Sequence, residues 1–369
     1  MTFMDRAREA AEARTQFRWR WFDYLCLYVP CGFLALLNRH WHCYYKDLRA
    51  PAWNSVESFF FFLPFGFYLS MLLRWLRERV THRRATQPSN QTAMQECPHC
   101  PQGCVTTLAG DRDYANRLAV ELGLVFARKY FRTRVHGIEK IRDHGPAIIL
   151  MNHGGMAVPP WEFTIFGAEL AAYHQKVGWL RFLMARAFVE FKTLSFLFPK
   201  GYAELCGGVA ATFANFESLM KHRYVVLYAP EGAAGAAKGW RRRYQLQPFH
   251  TSFVKLAAKH NATLIPVACI GAENMHPYAL NVRWIARLLK VPWMRVSPQL
   301  PLIVAFPTLF VSALPVRLDY YVLDPVQLPA APYERFVEED WRNLAERFRV
   351  DLQEQITQLR AGKIPPRFE

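Results

Sequence analysis

Hydrophobic and polar positions divide the chain into three regimes. The first holds two dense apolar stretches, Phe22 to Leu37, broken only by Asp23 and carrying Pro30 and Gly32, and Ser58 to Leu73, which has no charge. As a helix each would be about 24 Å long, against a hydrocarbon core of about 30 Å. Trp19, Trp21, Trp41, Tyr44, Tyr45 and Trp75 flank them at positions suited to a headgroup layer. Residues 1–80 therefore predict a membrane hairpin, spanning or re-entrant. The alternative is a pair of core helices in a soluble protein.

The second regime, 81–112, is polar and lacks periodicity, so it reads as a linker. The third begins at Asp113, where helix-like and strand-like segments alternate. Asp113 to Arg132 reads as a helix, followed by a short strand near Val135. The continuous apolar runs Ala147 to Met151, Val225 to Ala229 and Thr263 to Ile270 fit strands buried on both faces, with Ala210 to His222 and Phe249 to Lys259 as helices between them. Residues 113–330 thus predict an α/β domain with a mainly parallel sheet flanked by helices. Leu300 to Pro315 is apolar but broken by Pro301, Pro307 and Pro315, which suits a membrane-dipping or acyl-chain-covering loop, or a buried core segment. Residues 331–369 predict an amphipathic helix: Val337, Trp341, Leu344, Phe348 and Leu352 recur at helical spacing, as for packing onto the domain. No internal repeat is visible.

Charge sharpens the membrane reading. With 46 Lys and Arg against 30 Asp and Glu the net charge is +16, and 52% of residues are apolar, which excludes disorder. Arg6, Arg8, Arg14, Arg18 and Arg20 precede the first stretch, and Arg74, Arg77, Arg79, Arg83 and Arg84 follow the second. The positive-inside tendency then places both flanks, and the α/β domain, on the cytoplasmic face of a membrane, endoplasmic reticulum or bacterial inner membrane. Trp284, Arg287, Lys290, Trp293 and Arg295 fit an interfacial patch better than a nucleic-acid surface, so membrane lipids and no nucleic acid are the expected partners. Oligomeric state is not readable. Cys97, Cys100 and Cys104, with His99 between them, are either ordinary or lipidated thiols or the start of a zinc or redox site. No downstream pair completes a metal set, and no metal is expected.

Chemistry gathers at two strand ends. Ala147 to Met151 runs into Asn152-His153-Gly154-Gly155, and Val225 to Ala229 runs into Pro230-Glu231-Gly232, followed by Lys238 and Arg241-Arg242-Arg243. A His beside glycines at a strand end can be approached closely and can act as a general base once a carboxylate fixes its tautomer. The second loop offers backbone amides and basic groups to an anion. Its Lys is followed by Gly239, unlike a nucleotide-hydrolase phosphate loop, and no Gly-x-Ser-x-Gly elbow is present.

In order, Val135-His136-Gly137-Ile138-Glu139 with Gly145 to His153, a weak Gly208 to Asn215, Pro230-Glu231-Gly232, and Leu264-Ile265-Pro266-Val267 with Gly271-Ala272-Glu273 resemble the four motifs of the glycerolipid (lysophosphatidate-type) acyltransferase superfamily. The run Glu231 to Pro277 is closest to a subgroup that also resembles the diacylglycerol acyltransferases. The resemblance covers roughly Asp113 to Leu328. It implies transfer of a fatty acyl group from acyl-CoA or acyl carrier protein to a glycerolipid hydroxyl, without a further cofactor, with His153 as general base. It further implies Asn152, Glu231, Gly232, Lys238, Arg243 and Pro266 at the substrate.

Two departures stand out. The usual Asp five residues after the His is replaced by Val158, and the nearest carboxylate is Glu162, which either takes the Asp's catalytic role of orienting His153 or is a surface residue near a helix start. The Thr-Arg that often follows Pro-Glu-Gly is replaced by Ala233-Ala234, so either Lys238 and the Arg241 to Arg243 cluster substitute for that Arg or the acceptor carries no phosphate. A phosphate-free acceptor would be diacylglycerol or a long-chain alcohol, as for a wax or neutral-lipid ester synthase. A catalytically inactive lipid-binding relative is the alternative from another class.

Overall fold

The computed structural model describes residues 17–44, 53–80, 112–154, 160–174, 180–185, 202–288, 295–329 and 335–362. Two compact units emerge: one comprises residues up to 89 together with 301–312, the other residues 90–300 and 313–369. The cysteines at 97, 100 and 104 and most of the linker lie outside the described residues.

In the first unit each apolar stretch is broken in the middle. Helix Trp21–Cys26 turns into helix Gly32–Tyr44, and helix Ser55–Phe60 turns into helix Gly66–Val80. The cause is local and the same in both. Pro30 and Pro64 cannot donate a helical hydrogen bond, and Cys31 and Phe65 adopt left-handed φ of 71° and 60°. A Cβ on Gly32 or Gly66 would lie 1.8 or 2.1 Å from the carbonyl oxygen of Cys26 or Phe60, so only glycine fits there.

The second stretch therefore repeats the first, Leu27 to Phe33 realigning with Phe61 to Phe67. The likeness extends to the helix starts. The Arg20 N–H donates to Asp23 and the Asn54 N–H to Glu57, and these buried carboxylates pair with Arg39 at 2.6 Å and Arg77 at 2.7 Å. Sequence reading missed the repeat because little beyond Pro-x-Gly-Phe and the flanking pairs Trp19/Trp53 and Trp41/Trp75 is identical. Among the described residues no helix is long and apolar enough to cross a membrane, so the spanning form of the expected hairpin is not found. Helix Leu300–Ala305 joins this unit, with the Phe65 N–H donating to the Ala305 carbonyl.

The second unit holds a seven-stranded sheet of β1 (Arg134–His136), β2 (Ala147–Met151), β3 (Leu180–Met184), β4 (Gly208–Ala210), β5 (Val225–Tyr228), β6 (Thr263–Ile270) and β9 (Asp319–Val322), ordered β1-β9-β6-β2-β5-β3-β4. A separate pair joins β7 (Leu280–Asn281) to β8 (Arg295–Val296). In the large sheet β6, β2, β5, β3 and β4 are mutually parallel, and β9 lies antiparallel against β6. Every residue of β2 is buried, as a central parallel strand requires.

Helices Phe213–Lys221 and Ser252–His260 and the start of Glu338–Arg360 close a core around Ile148, Leu150, Val226 and Leu264. Helix Trp161–His174 lies where Phe166 meets Tyr320, and Ala168 on it approaches Gly123 so closely that a Cβ there would be 2.7 Å away. The expected amphipathic C-terminal helix is Glu338–Arg360, with Trp341, Ala345, Leu352, Ile356 and Leu359 buried.

Candidate active site

Parallel strands deliver their carboxyl ends to one edge, and β2 sits between β6 and β5, so the residues that follow it occupy the middle of that edge. Asn152 comes first and is fully buried. Its amide donates to the Cys269 carbonyl at 3.0 Å and accepts the Cys269 N–H at 2.7 Å, which ties the end of β2 to the end of β6. Expected at the substrate, Asn152 instead fixes the strand ends from which the site hangs.

His153 follows. Its Nδ1 lies 2.6 Å from Oε1 of Glu162, a carboxylate with no solvent exposure, while the imidazole keeps 14% of its surface open. Helix Trp161–His174 places Glu162 in its first turn, where the helix field favours a negative charge. Trp161 stacks on Phe126 at 5.0 Å, the Tyr320 hydroxyl donates to the Glu162 carbonyl at 2.7 Å, and the Gly154 N–H reaches Oε1 at 3.3 Å. The wider spacing is thus bridged by a helix start pinned on three sides. A carboxylate on Nδ1 sets the proton there and turns the Nε2 lone pair towards a reacting group. Burial, and after it the nearby Cys269 and Glu162, hold the Tyr320 phenol well above its ordinary range, so this donor stays protonated. Burial, then the Glu162 charge, does the same to the Cys269 thiol.

A second network supports the backbone of His153. Glu231 is fully buried; its Oε1 accepts the His153 N–H at 3.0 Å and its Oε2 the Gln247 N–H at 2.8 Å. The Lys238 ammonium, also buried, lies 3.2 Å from Glu231 and 3.0 Å from Glu273, and Glu273 accepts the Tyr244 N–H at 3.2 Å. Gly232 takes φ of +53°, which lets helix Gly232–Ala237 begin at once, and a Cβ on Gly235 would sit 3.1 Å from the Cβ of His153. Expected at the substrate, Glu231 and Lys238 form with Glu273 an internal ion cluster that supports the His153 backbone.

Lys238→Met is expected to lower the unfolding free energy by about 3 kcal/mol, because it leaves two buried carboxylates without their cation. Urea denaturation measures this, and an unchanged midpoint would contradict the cluster. Of the remaining expected residues, Pro266 lies buried within β6, paired with Leu150 and away from the strand ends, and Arg243 lies over the Trp240 ring at 4.5 Å. Gln247 and Tyr320 escaped sequence reading, and Glu273 was read only as part of the fourth motif; Gln247 acts through its backbone N–H, which no residue type signals.

A family model described as Acyltransferase matches residues 132–270, the span from β1 to the end of β6. An uncharacterized protein of Mycobacterium leprae (strain TN) is 27% identical over 246 residues, 64% of this chain and 63% of its own length. Uncharacterized proteins of Mycobacterium bovis and Mycobacterium tuberculosis are each 28% identical over 178 residues, 48% of either chain. The chain thus spans between about half and just under two thirds of these relatives. The crystal structure of the 1-acyl-sn-glycerophosphate (LPA) acyltransferase PlsC from Thermotoga maritima aligns with a TM-score of 0.41 and 15% identity, over 68% of this chain and 82% of that one.

Proposed function

We propose, from the match of residues 132–270 to the family model described as Acyltransferase, that the chain moves a fatty acyl group from a thioester donor to a lipid hydroxyl, with His153 as the base. The observation that carries this reading is the 2.6 Å contact between His153 Nδ1 and the buried Glu162. In this mechanism Nε2 takes the hydroxyl proton as the acceptor oxygen attacks the thioester carbonyl. Glu162 stabilises the imidazolium, the carbon–sulfur bond breaks, and the proton passes to the leaving thiolate.

The acceptor in this reading is neutral, diacylglycerol or a long-chain alcohol. Support comes from Lys238, whose charge is taken up by Glu231 and Glu273, and from Ala233-Ala234 in place of an Arg. Purified protein given labelled acyl-CoA and, in turn, lysophosphatidate, another lysophospholipid, diacylglycerol and a long-chain alcohol should form ester chiefly on the last two. Ester on none of them from folded protein would overturn the reading, and lysophosphatidate as the best acceptor would overturn the neutral acceptor.

The repeated broken helices suit attachment to one leaflet of a membrane. Trp21, Tyr28, Phe59, Phe65, Leu72 and Trp75 are all at least half exposed, although the charges at the helix starts are buried and paired. The protein should sediment with phosphatidylglycerol-containing vesicles, and Phe59→Asp with Leu72→Asp should release it. Equal sedimentation of the double variant would contradict attachment through this face.

A further inference from the structure

Between Glu231 and Asp319 the chain carries one carboxylate, Glu273, and that one is buried against Lys238. Any charge this stretch turns outward is therefore positive. Within it, β7 pairs with β8 apart from the large sheet and leads into helix Arg283–Leu288.

This helix keeps apolar side chains on the outside. Trp284 is 67% exposed and Leu288 72%, and their spacing of four residues sets them on one face, with Ala286 buried on the other. Arg283 and Arg287, also four apart and exposed, border that face. Tyr278 and Leu280, just ahead of the helix, are exposed as well. Large apolar groups open to solvent and interleaved with arginines, with no carboxylate among them, are the composition of an element that lies in a membrane interface. Trp and Leu enter the boundary between headgroups and acyl chains, while Arg lays its stem along them and reaches the phosphates.

A second copy of this chain is a poor partner for the face, because a like-with-like contact would bring arginines together with no carboxylate to meet them. An anionic bilayer supplies both the charge and the apolar layer. The face also adjoins the catalytic edge. Helix Gly232–Ala237 passes His153, where a Cβ on Gly235 would lie 3.1 Å from the His153 Cβ, and it ends at Lys238. Two residues on, the Trp240 N–H donates to the Ala279 carbonyl at 2.9 Å and its ring meets Tyr278 at 5.2 Å, with the exposed Arg241 and Arg242 next in the chain.

We infer that helix Arg283–Leu288 is a membrane-contacting element of the catalytic unit itself: Trp284 and Leu288 enter an anionic bilayer surface while Arg283 and Arg287 bind its headgroups. The contact is additional to the face proposed for the N-terminal unit. It sets the edge that carries His153 against the surface from which a lipid acceptor comes.

The test is a lipid titration of the full chain with phosphatidylcholine vesicles, with and without phosphatidylglycerol, read as a partition coefficient by sedimentation. Trp284→Asp with Leu288→Asp should lower partition onto the phosphatidylglycerol vesicles about tenfold or more, because two apolar anchors are lost. Arg283→Gln with Arg287→Gln should lower it about tenfold on those vesicles and little on phosphatidylcholine alone. All four side chains are exposed, so thermal melting should match wild type and show that the variants fold. Partition equal to wild type in both folded pairs overturns the inference, as does an equal fall of the arginine pair on both kinds of vesicle, or a wild type that binds neither. A wild-type dimer in lipid-free solution that Trp284→Asp with Leu288→Asp splits would assign the face to a second copy and overturn it too. If Phe59→Asp with Leu72→Asp sediments like wild type, attachment through the N-terminal face fails while the result for this helix stands, and neither outcome depends on turnover.

Discussion

His153→Ala is expected to lower kcat about a thousandfold or more while leaving the fold intact. A lipid hydroxyl is a poor nucleophile unless its proton leaves as it attacks, and a positioned base supplies roughly two to four orders of magnitude. Neither neighbour could take that proton instead, since Lys238 is enclosed by two carboxylates and Asn152 is bound to the Cys269 backbone. The imidazole bonds the Glu162 oxygen, meets Phe163 edge-on at 5.3 Å and keeps 14% of its surface open, so truncation should lower the melting temperature without unfolding the chain. Initial rates with labelled acyl-CoA, together with a thermal melt, check both halves. Equal rates for variant and wild type would remove His153 from the mechanism.

Glu162→Gln is the second large effect, expected at about a hundredfold to a thousandfold in kcat. The amide has nearly the same shape, so the pinned helix start should survive. Its neutral group cannot stabilise the imidazolium, and its N–H₂ can turn towards Nδ1 and favour the wrong tautomer; in serine proteases the equivalent loss is about ten-thousandfold. Because Glu162 touches the base and not the substrate, kcat should fall with KM little changed. Glu162→Asp should also lose most of its activity, since it withdraws the oxygen by about 1.5 Å, one carbon–carbon bond, from a contact now at 2.6 Å. Full activity in Glu162→Gln would leave the displaced carboxylate without a role.

The extent to which this was legible in the sequence differs element by element. β2, β5 and β6 stood out because strands buried on both faces are continuous apolar runs. β3 and β4 did not. β3 carries Arg181, whose buried guanidinium lies 4.7 Å over the Tyr224 ring, and β4 has three residues, too few for a period to show. His153 and Glu162 were legible as chemistry, one at a strand end and the other as the nearest carboxylate. The burial of Glu162 depends on Trp161, Phe126 and Tyr320, and the last two are distant in sequence. Glu231 and Lys238 were expected at the substrate for the same reason: a lysine's partners decide whether its charge is offered outward or taken up within. The two apolar stretches gave their length but hid their break, which two left-handed residues before glycines impose.

Ester formation without an acyl-enzyme is the most direct test of the central claim, that the pair formed by His153 and Glu162 activates the acceptor hydroxyl itself. Purified protein in vesicles would receive labelled acyl-CoA with and without a lipid alcohol, followed by quench and separation of lipid from protein. Label should appear in the ester with wild type, fall about a thousandfold with His153→Ala, and never be bound covalently to the chain. Label trapped on the protein, or equal ester from wild type and His153→Ala, would contradict the account.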